Sequence, residues 1–133
     1  MSLISSTVLV DGTVSATGGT SRTFKSLGDN GSEHKMFIDE SLSYSLRKEV
    51  DFSTRAPKVS PSAPGGYTQG RRKAFIRIPR TLANGNRTVD TVMMEVSTDV
   101  EATDAEIQTY LGIAAQVLTD SDYTDFWTDL SLA

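Results

Sequence analysis

The sequence contains no cysteine and only one histidine, His34. Without cysteine the chain can form neither a disulfide framework nor a thiolate-based site. A single histidine cannot build a multi-histidine metal site, and it lacks the partners that a general base needs. No apolar run approaches the roughly 20 residues that cross a bilayer. We therefore expect no metal, no cofactor and no membrane partner, and an enzyme built on carboxylates alone is the least favoured alternative.

Basic residues are concentrated in one part of the chain, although the net charge is only -4. Ten of the 13 lysines and arginines fall between Arg47 and Arg87, where only Glu49 and Asp51 oppose them. From Asp99 onward there are eight acids and no lysine or arginine. Such a basic segment is where a polyanion would bind, although a solvated charged surface gives the same pattern.

The length of 133 residues predicts one domain, 1–133, with strand patterns over about 5–98. The first feature is a predicted N-terminal hairpin, in which Ser6–Val10 and Thr13–Ala16 flank an Asp11–Gly12 turn. Alternating or β-rich runs predict further strands, and a long loop at 56–70 separates two of them. These strands are expected at 22–27, 34–38, 46–55, 71–78 (ended by Pro79) and 88–98.

Beyond Asp99 the apolar period changes from two to 3.6 residues, which indicates helix. Thr103 and Glu106 have the spacing of a capping box at a helix start. A second short helix follows, so that helices occupy about 103–131. Strands followed by two C-terminal helices predict an α+β protein.

Alternation along the central strands predicts two unlike sheet faces. The apolar face, which includes Val50 and Ile76, must be covered by the two helices, from the same chain or from a partner. The opposite face remains open and basic. Phe75 lies among its cations and could stack on a base, although an ordinary exposed aromatic gives the same pattern. The cations of this face are Arg55, Arg71, Lys73 and Arg77.

Three segments, taken in their order and spacing, resemble the levivirus coat proteins. Thr7–Gly12 is similar to the first strand and turn of that family. Val50–Arg55 together with Arg71–Pro79 is similar to its two central RNA-facing strands, and Met94–Val96 precedes a helix as in the family. The resemblance implies an N-terminal β-hairpin, an antiparallel meander and two C-terminal helices, in an interlocked homodimer with a continuous sheet.

The resemblance also implies a function. A coat protein of this family is made in the bacterial host cytoplasm and forms an obligate homodimer that assembles into the icosahedral shell of the virion. It binds single-stranded genomic RNA on the inner sheet face and represses replicase translation through an RNA hairpin. The alternative is a small dimeric RNA-binding regulator that forms no shell. The RNA-binding residues implied are Asp51, Ser53, Arg55, Arg71, Lys73, Phe75, Arg77, Thr91, Met93 and Glu95.

Four of these positions depart from the family pattern. Phe75 replaces a lysine, Thr91 stands where the family has a stacking aromatic, and Met93 stands where a polar residue is expected. Asp51 stands where a neutral hydroxyl residue is usual in the family. An acid at the centre of an RNA-binding face is expected to repel phosphate, because the two charges have the same sign.

Overall fold

A computed structural model of the chain describes residues 3–132. The described residues form two compact units. One unit is the continuous segment Gly19–Val100, and the other joins the N-terminal segment up to Gly18 with the C-terminal segment from Glu101.

The first unit is a five-stranded antiparallel sheet in which each strand pairs with the next along the chain. This meander confirms the predicted strand order beyond residue 22. Short turns between alternating segments favour such neighbour pairing, since antiparallel strands need only a tight connection. The strands are β1 (Phe24–Asp29), β2 (Glu33–Ile38), β3 (Glu49–Arg55), β4 (Gly70–Thr81) and β5 (Arg87–Thr98).

Two of the connections are tight turns that contain a glycine with positive φ. Gly31 has a φ of 88° between β1 and β2, and Gly85 has a φ of 85° between β4 and β5. Both values lie in the left-handed region, which glycine adopts without a steric penalty. Side chains close the two turns, because the Asp29 carboxylate accepts from the Gly31 N–H and the Asn84 side chain accepts from the Asn86 N–H.

Pro79 does not end its strand, contrary to the prediction. β4 continues to Thr81, and Pro79 lies opposite Val89 of β5. The pairing of β4 with β3 stops at Arg77, so that one side of β4 is open beyond that residue. Proline is tolerated on an open strand edge, where its missing N–H costs no ladder hydrogen bond.

One face of the sheet is apolar, as alternation predicted. Val50 lies opposite Ile76, which lies opposite Val92, and Phe52 and its neighbours continue this face. Val50 is the only buried hydrophobic residue among the described residues, with 5% of its surface exposed. Phe52 and Val92 are exposed, and Ile76 is half-buried. The apolar face therefore presents hydrophobic surface that a single chain leaves accessible.

The second unit contains helix α1 (Asp104–Thr119), a 3-10 turn (Ser121–Tyr123) and helix α2 (Thr124–Asp129). The predicted helix start is confirmed, with Thr103 as the N-cap of α1. The Thr103 hydroxyl accepts a hydrogen bond from the Glu106 N–H and donates one to the Glu106 carboxylate. Over the described residues, neither helix combines the length and the hydropathy that a bilayer crossing needs.

The predicted N-terminal hairpin is wrong. The segment 6–16 contains no strand, and the first strand of the described chain begins at Phe24 rather than near residue 5. Gln116 of α1 explains the difference, because its side chain accepts from the Leu9 N–H at 2.8 Å and donates to the Leu9 carbonyl at 2.7 Å. The Leu9 N–H and carbonyl, which a hairpin partner would otherwise satisfy, are bonded to the helix instead.

Candidate nucleic-acid interface

All ten residues that the resemblance implied lie on one face of the sheet. They belong to β3, β4 and β5, whose pairing is in register without a bulge. Directly opposed residues of antiparallel strands share a face and come within contact distance. The structure therefore brings the ten together into a single surface, opposite the apolar face. The rows across the strands are Asp51–Phe75–Met93, Ser53–Lys73–Glu95, Arg55–Arg71 and Arg77–Thr91.

Asp51 and Arg77 form the closest ion pair of this surface. Arg77 Nη1 lies 2.7 Å from Asp51 Oδ2, and the Asp51 side chain is only 9% exposed. The second carboxylate oxygen, Oδ1, is buried and has no hydrogen-bond partner among the described residues. A buried carboxylate needs a compensating cation. Arg77 supplies it, so the expected repulsion of phosphate by Asp51 is offset within the protein.

Arg77 also contacts Phe75, and this second contact makes its guanidinium less available to a phosphate. Its guanidinium lies over the ring of Phe75, 4.8 Å from the centroid. This cation–π contact occupies one side of the Phe75 ring, and it holds the guanidinium beside Asp51. Arg77 is thus committed to two neighbours, and Phe75 has only its other side available to a base.

Lys73 and Arg55 are the cations of this surface without a carboxylate partner in the described part of the chain. Both side chains are exposed. Lys73 borders two shallow depressions, one of about 190 Å³ beside Arg55 and one of about 310 Å³ beside Phe75. Uncompensated, exposed cations beside concave surface are the groups that a phosphate backbone would contact.

Arg71 is neither tightly paired, as Arg77 is, nor without a carboxylate partner among the described residues, as Lys73 is. Its Nε lies 3.9 Å from Glu95 Oε1, and both side chains are close to half exposed. Ion pairs of this length in water contribute little, because solvent screens them. Arg71 can exchange Glu95 for a phosphate at small cost.

Strand β2 extends the same face, and sequence reasoning missed it. Lys35 lies opposite Asp51, and Phe37 lies opposite Glu49. Alternation along Glu33–Ile38 was visible in the sequence and would have placed Glu33, Lys35 and Phe37 on this face. Their position relative to Asp51 was not visible, because it depends on the pairing register of β2 with β3.

His34 lies on the opposite face of the sheet. It pairs with Phe52 across the strands, and its Nε2 is 2.8 Å from the Ser26 hydroxyl. No carboxylate orients the imidazole among the contacts of the described residues, so the arrangement that activates a serine nucleophile is not present there.

No protein-family model matches the chain, and no curated protein sequence matches it. Solved structures do match. A subunit described as "Virus-like particle of bacteriophage GQ-907" has a TM-score of 0.88 and 28% sequence identity, and the match covers 99% of this chain and 100% of that chain.

Two further matches concern the fold alone. A virus-like particle of bacteriophage AVE019 gives a TM-score of 0.68 at 8% identity, covering 84% of this chain and 86% of that one. A virus-like particle of bacteriophage ESE058 gives 0.65 at 15% identity, covering 84% and 87%. With its five-stranded antiparallel sheet followed by two C-terminal helices, the chain has the fold of a bacteriophage coat protein.

Proposed function

We propose that the chain is the coat protein of a single-stranded RNA bacteriophage of the levivirus type. In this proposal it is a structural protein without catalytic activity, which forms a homodimer, assembles into an icosahedral shell and packages genomic RNA against its basic sheet face. The observation that carries the proposal is the match to a virus-like particle subunit over 99% of the chain at a TM-score of 0.88.

The apolar face of the sheet supports the dimer. Phe52, Val92 and Met94 expose at least a third of their surface in the single chain. On the helices, Leu111 and Trp127 are similarly exposed. Apolar surface of this extent on both units is typical of an obligate interface. We infer that the helices of each chain cover the apolar sheet face of its partner, which gives the interlocked dimer.

The free edge of the sheet supports the same dimer. Among the described residues β5 pairs only with β4, and it presents 12 residues of strand. An uncovered edge of this length invites pairing with another strand. Two copies of β5 related by a two-fold axis would pair antiparallel and form one continuous sheet. The two basic faces would then lie on the same side and double the surface for RNA.

The cations of the basic face support RNA packaging more directly than they support recognition of a specific RNA hairpin. Lys73, Arg55 and Arg71 present charge that would meet phosphates, and phosphate contacts carry affinity without sequence information. Repression of replicase translation would need additional contacts to base edges. We therefore place packaging first and repression through an RNA hairpin second among the roles proposed for this face.

Size-exclusion chromatography of the expressed protein, recorded at nucleic-acid and protein wavelengths, tests the shell. We expect a peak at particle size that contains nuclease-protected RNA. A peak at dimer size that binds RNA without forming particles would instead establish the RNA-binding regulator.

Substitutions test the RNA face. Replacing Lys73 and Arg55 by methionine keeps much of each apolar stem and removes two charges, so we expect less packaged RNA and a salt slope of binding smaller by roughly 0.7 per cation. Arg80→Met is the matched control, since Arg80 pairs with Asp90 at 2.8 Å on the opposite face. An equal loss of RNA in the control would show that the wrong face was chosen.

A further inference from the structure

A second group of aromatic and basic side chains lies on the basic face, away from the ten residues already described. The guanidinium of Arg47 is 4.4 Å from the ring centroid of Phe37 and 4.6 Å from that of Tyr44. Two rings therefore flank one guanidinium. Phe37 is opposite Glu49, which places the group at the β2–β3 end of the sheet.

Tyr44 is unusual among the aromatics of the chain because it is 80% exposed. One side of its ring meets Arg47, so the other side is open to solvent. Exposed aromatic rings beside cations are the platforms on which bases of single-stranded nucleic acid stack. Because the Arg47 guanidinium already stacks on one side of the Tyr44 ring, a base would stack on this pair of side chains rather than on a lone ring.

The loop that carries Tyr44 is held in place. The Ser43 carbonyl accepts from the Leu46 N–H at 2.9 Å and from the Arg47 N–H at 3.1 Å, which forms the turn around Tyr44. The Ile38 N–H donates to the Lys48 carbonyl at 2.9 Å and closes the base of the loop. A platform that is positioned before binding loses less entropy when a base stacks on it.

The ion pairs near Tyr44 make this position better suited to binding a base than to binding a phosphate. Arg47 pairs with Glu49 at 3.3 Å, and Lys48 pairs with Glu40 at 3.1 Å. These cations are already compensated, so the open feature is the face of the ring. Lys35, which lies two residues before Phe37 on the same face, has no carboxylate partner among the described contacts and could hold the adjoining phosphate.

The geometry points to a second RNA subsite, in which an unpaired base stacks on the open side of Tyr44 and the strand continues past Lys35 to Lys73. This inference rests on the proposed RNA-packaging function and adds residues that sequence reasoning did not include. Glu49 and Ser53 are four residues apart on β3, so the Phe37–Glu49 row beside this group lies about 13 Å from the Ser53–Lys73 row. One single strand can reach both positions.

The test compares two probes on the full chain, freed of RNA and held below the concentration at which shells form. One probe is a 12-nucleotide oligouridylate, and the other is an abasic ribose-phosphate chain of the same length. Tyr44→Ala should weaken oligouridylate binding at least fivefold and leave abasic binding unchanged, because only a base can stack. Tyr44→Phe is the matched control and should bind both probes as the wild type does.

The outcomes separate this subsite from the proposed function. If Tyr44→Ala weakens both probes equally, or neither, while the wild type binds RNA, the subsite is refuted and packaging stands. If the wild type binds neither probe at any salt concentration, both proposals fail. Photocrosslinking of the wild type to oligo-5-iodouridylate gives an independent readout, in which a crosslink at Tyr44 is expected and crosslinks confined to β3, β4 and β5 would overturn the subsite.

Discussion

The Asp51–Arg77 pair leads to a prediction with two effects of opposite sign. Asp51→Asn removes the charge that holds Arg77, while the shape of the side chain is nearly preserved. Arg77 is 37% exposed and lies at the RNA-facing surface, so the released guanidinium can turn to a phosphate. We expect the substitution to lower stability and to raise RNA affinity.

Both magnitudes follow from the geometry. The pair is 2.7 Å long with a nearly buried carboxylate, but one partner is about a third exposed. We therefore expect a loss of about 1–2 kcal/mol in the free energy of unfolding, below the 3–5 kcal/mol of a fully buried pair that loses one partner. One additional cation on single-stranded RNA steepens the salt slope by about 0.7, which at 0.1 M salt corresponds to a roughly fivefold gain in affinity.

Urea denaturation of the RNA-free dimer and filter binding to oligouridylate at several salt concentrations measure the two effects. Arg77→Met alone should not raise RNA affinity, because it leaves the Asp51 carboxylate uncompensated and restores its repulsion of phosphate. In the double variant, Asp51→Asn with Arg77→Met, the gain in affinity should disappear. If the double variant binds as tightly as Asp51→Asn, the gain comes from lost repulsion and the reasoning about Arg77 is refuted.

Three further predictions concern the helices. Gln116→Ala removes hydrogen bonds to the N–H and carbonyl of Leu9 and to the Gly112 carbonyl, and it should cost about 2 kcal/mol in urea denaturation; a change below about 0.5 kcal/mol would contradict the role given to Gln116. Thr103→Ala removes the helix cap and should cost about 1 kcal/mol, visible as a lower melting temperature. Trp127→Glu should abolish the soluble dimer while Trp127→Phe retains it, and a folded monomeric Trp127→Glu would contradict the interlocked dimer.

Much of the sheet could be predicted from the chain alone. Alternation in Leu46–Arg55, Arg71–Ile78 and Thr88–Thr98 is a local property, and consecutive strands with short turns pair with their neighbours. The predicted hairpin in residues 6–16 had equally good local signals, including Asp11–Gly12. It did not form because Gln116, more than a hundred residues away, bonds the backbone of Leu9.

Part of the candidate site could likewise be predicted from the sequence, and part of it could not. Period two showed which of the ten residues share a face within each strand, but it could not show which cations lack a carboxylate partner. Arg77 reaches Asp51 diagonally, since Phe75 is the residue directly opposite Asp51. That contact requires the cross-strand register and the rotamers of both side chains. Arg47 meets Tyr44 through a loop conformation for which the sequence carries no periodic signal.

The sequence by itself determined the composition of each sheet face, the helix start at Thr103 and the concentration of basic charge in the middle of the chain. These features follow from local backbone geometry, which a few neighbouring residues specify. The tertiary structure decided that Arg77 is paired, that Lys73 is free and that Tyr44 is open on one side. Such facts depend on distances between residues far apart in sequence, and only the folded chain fixes those distances.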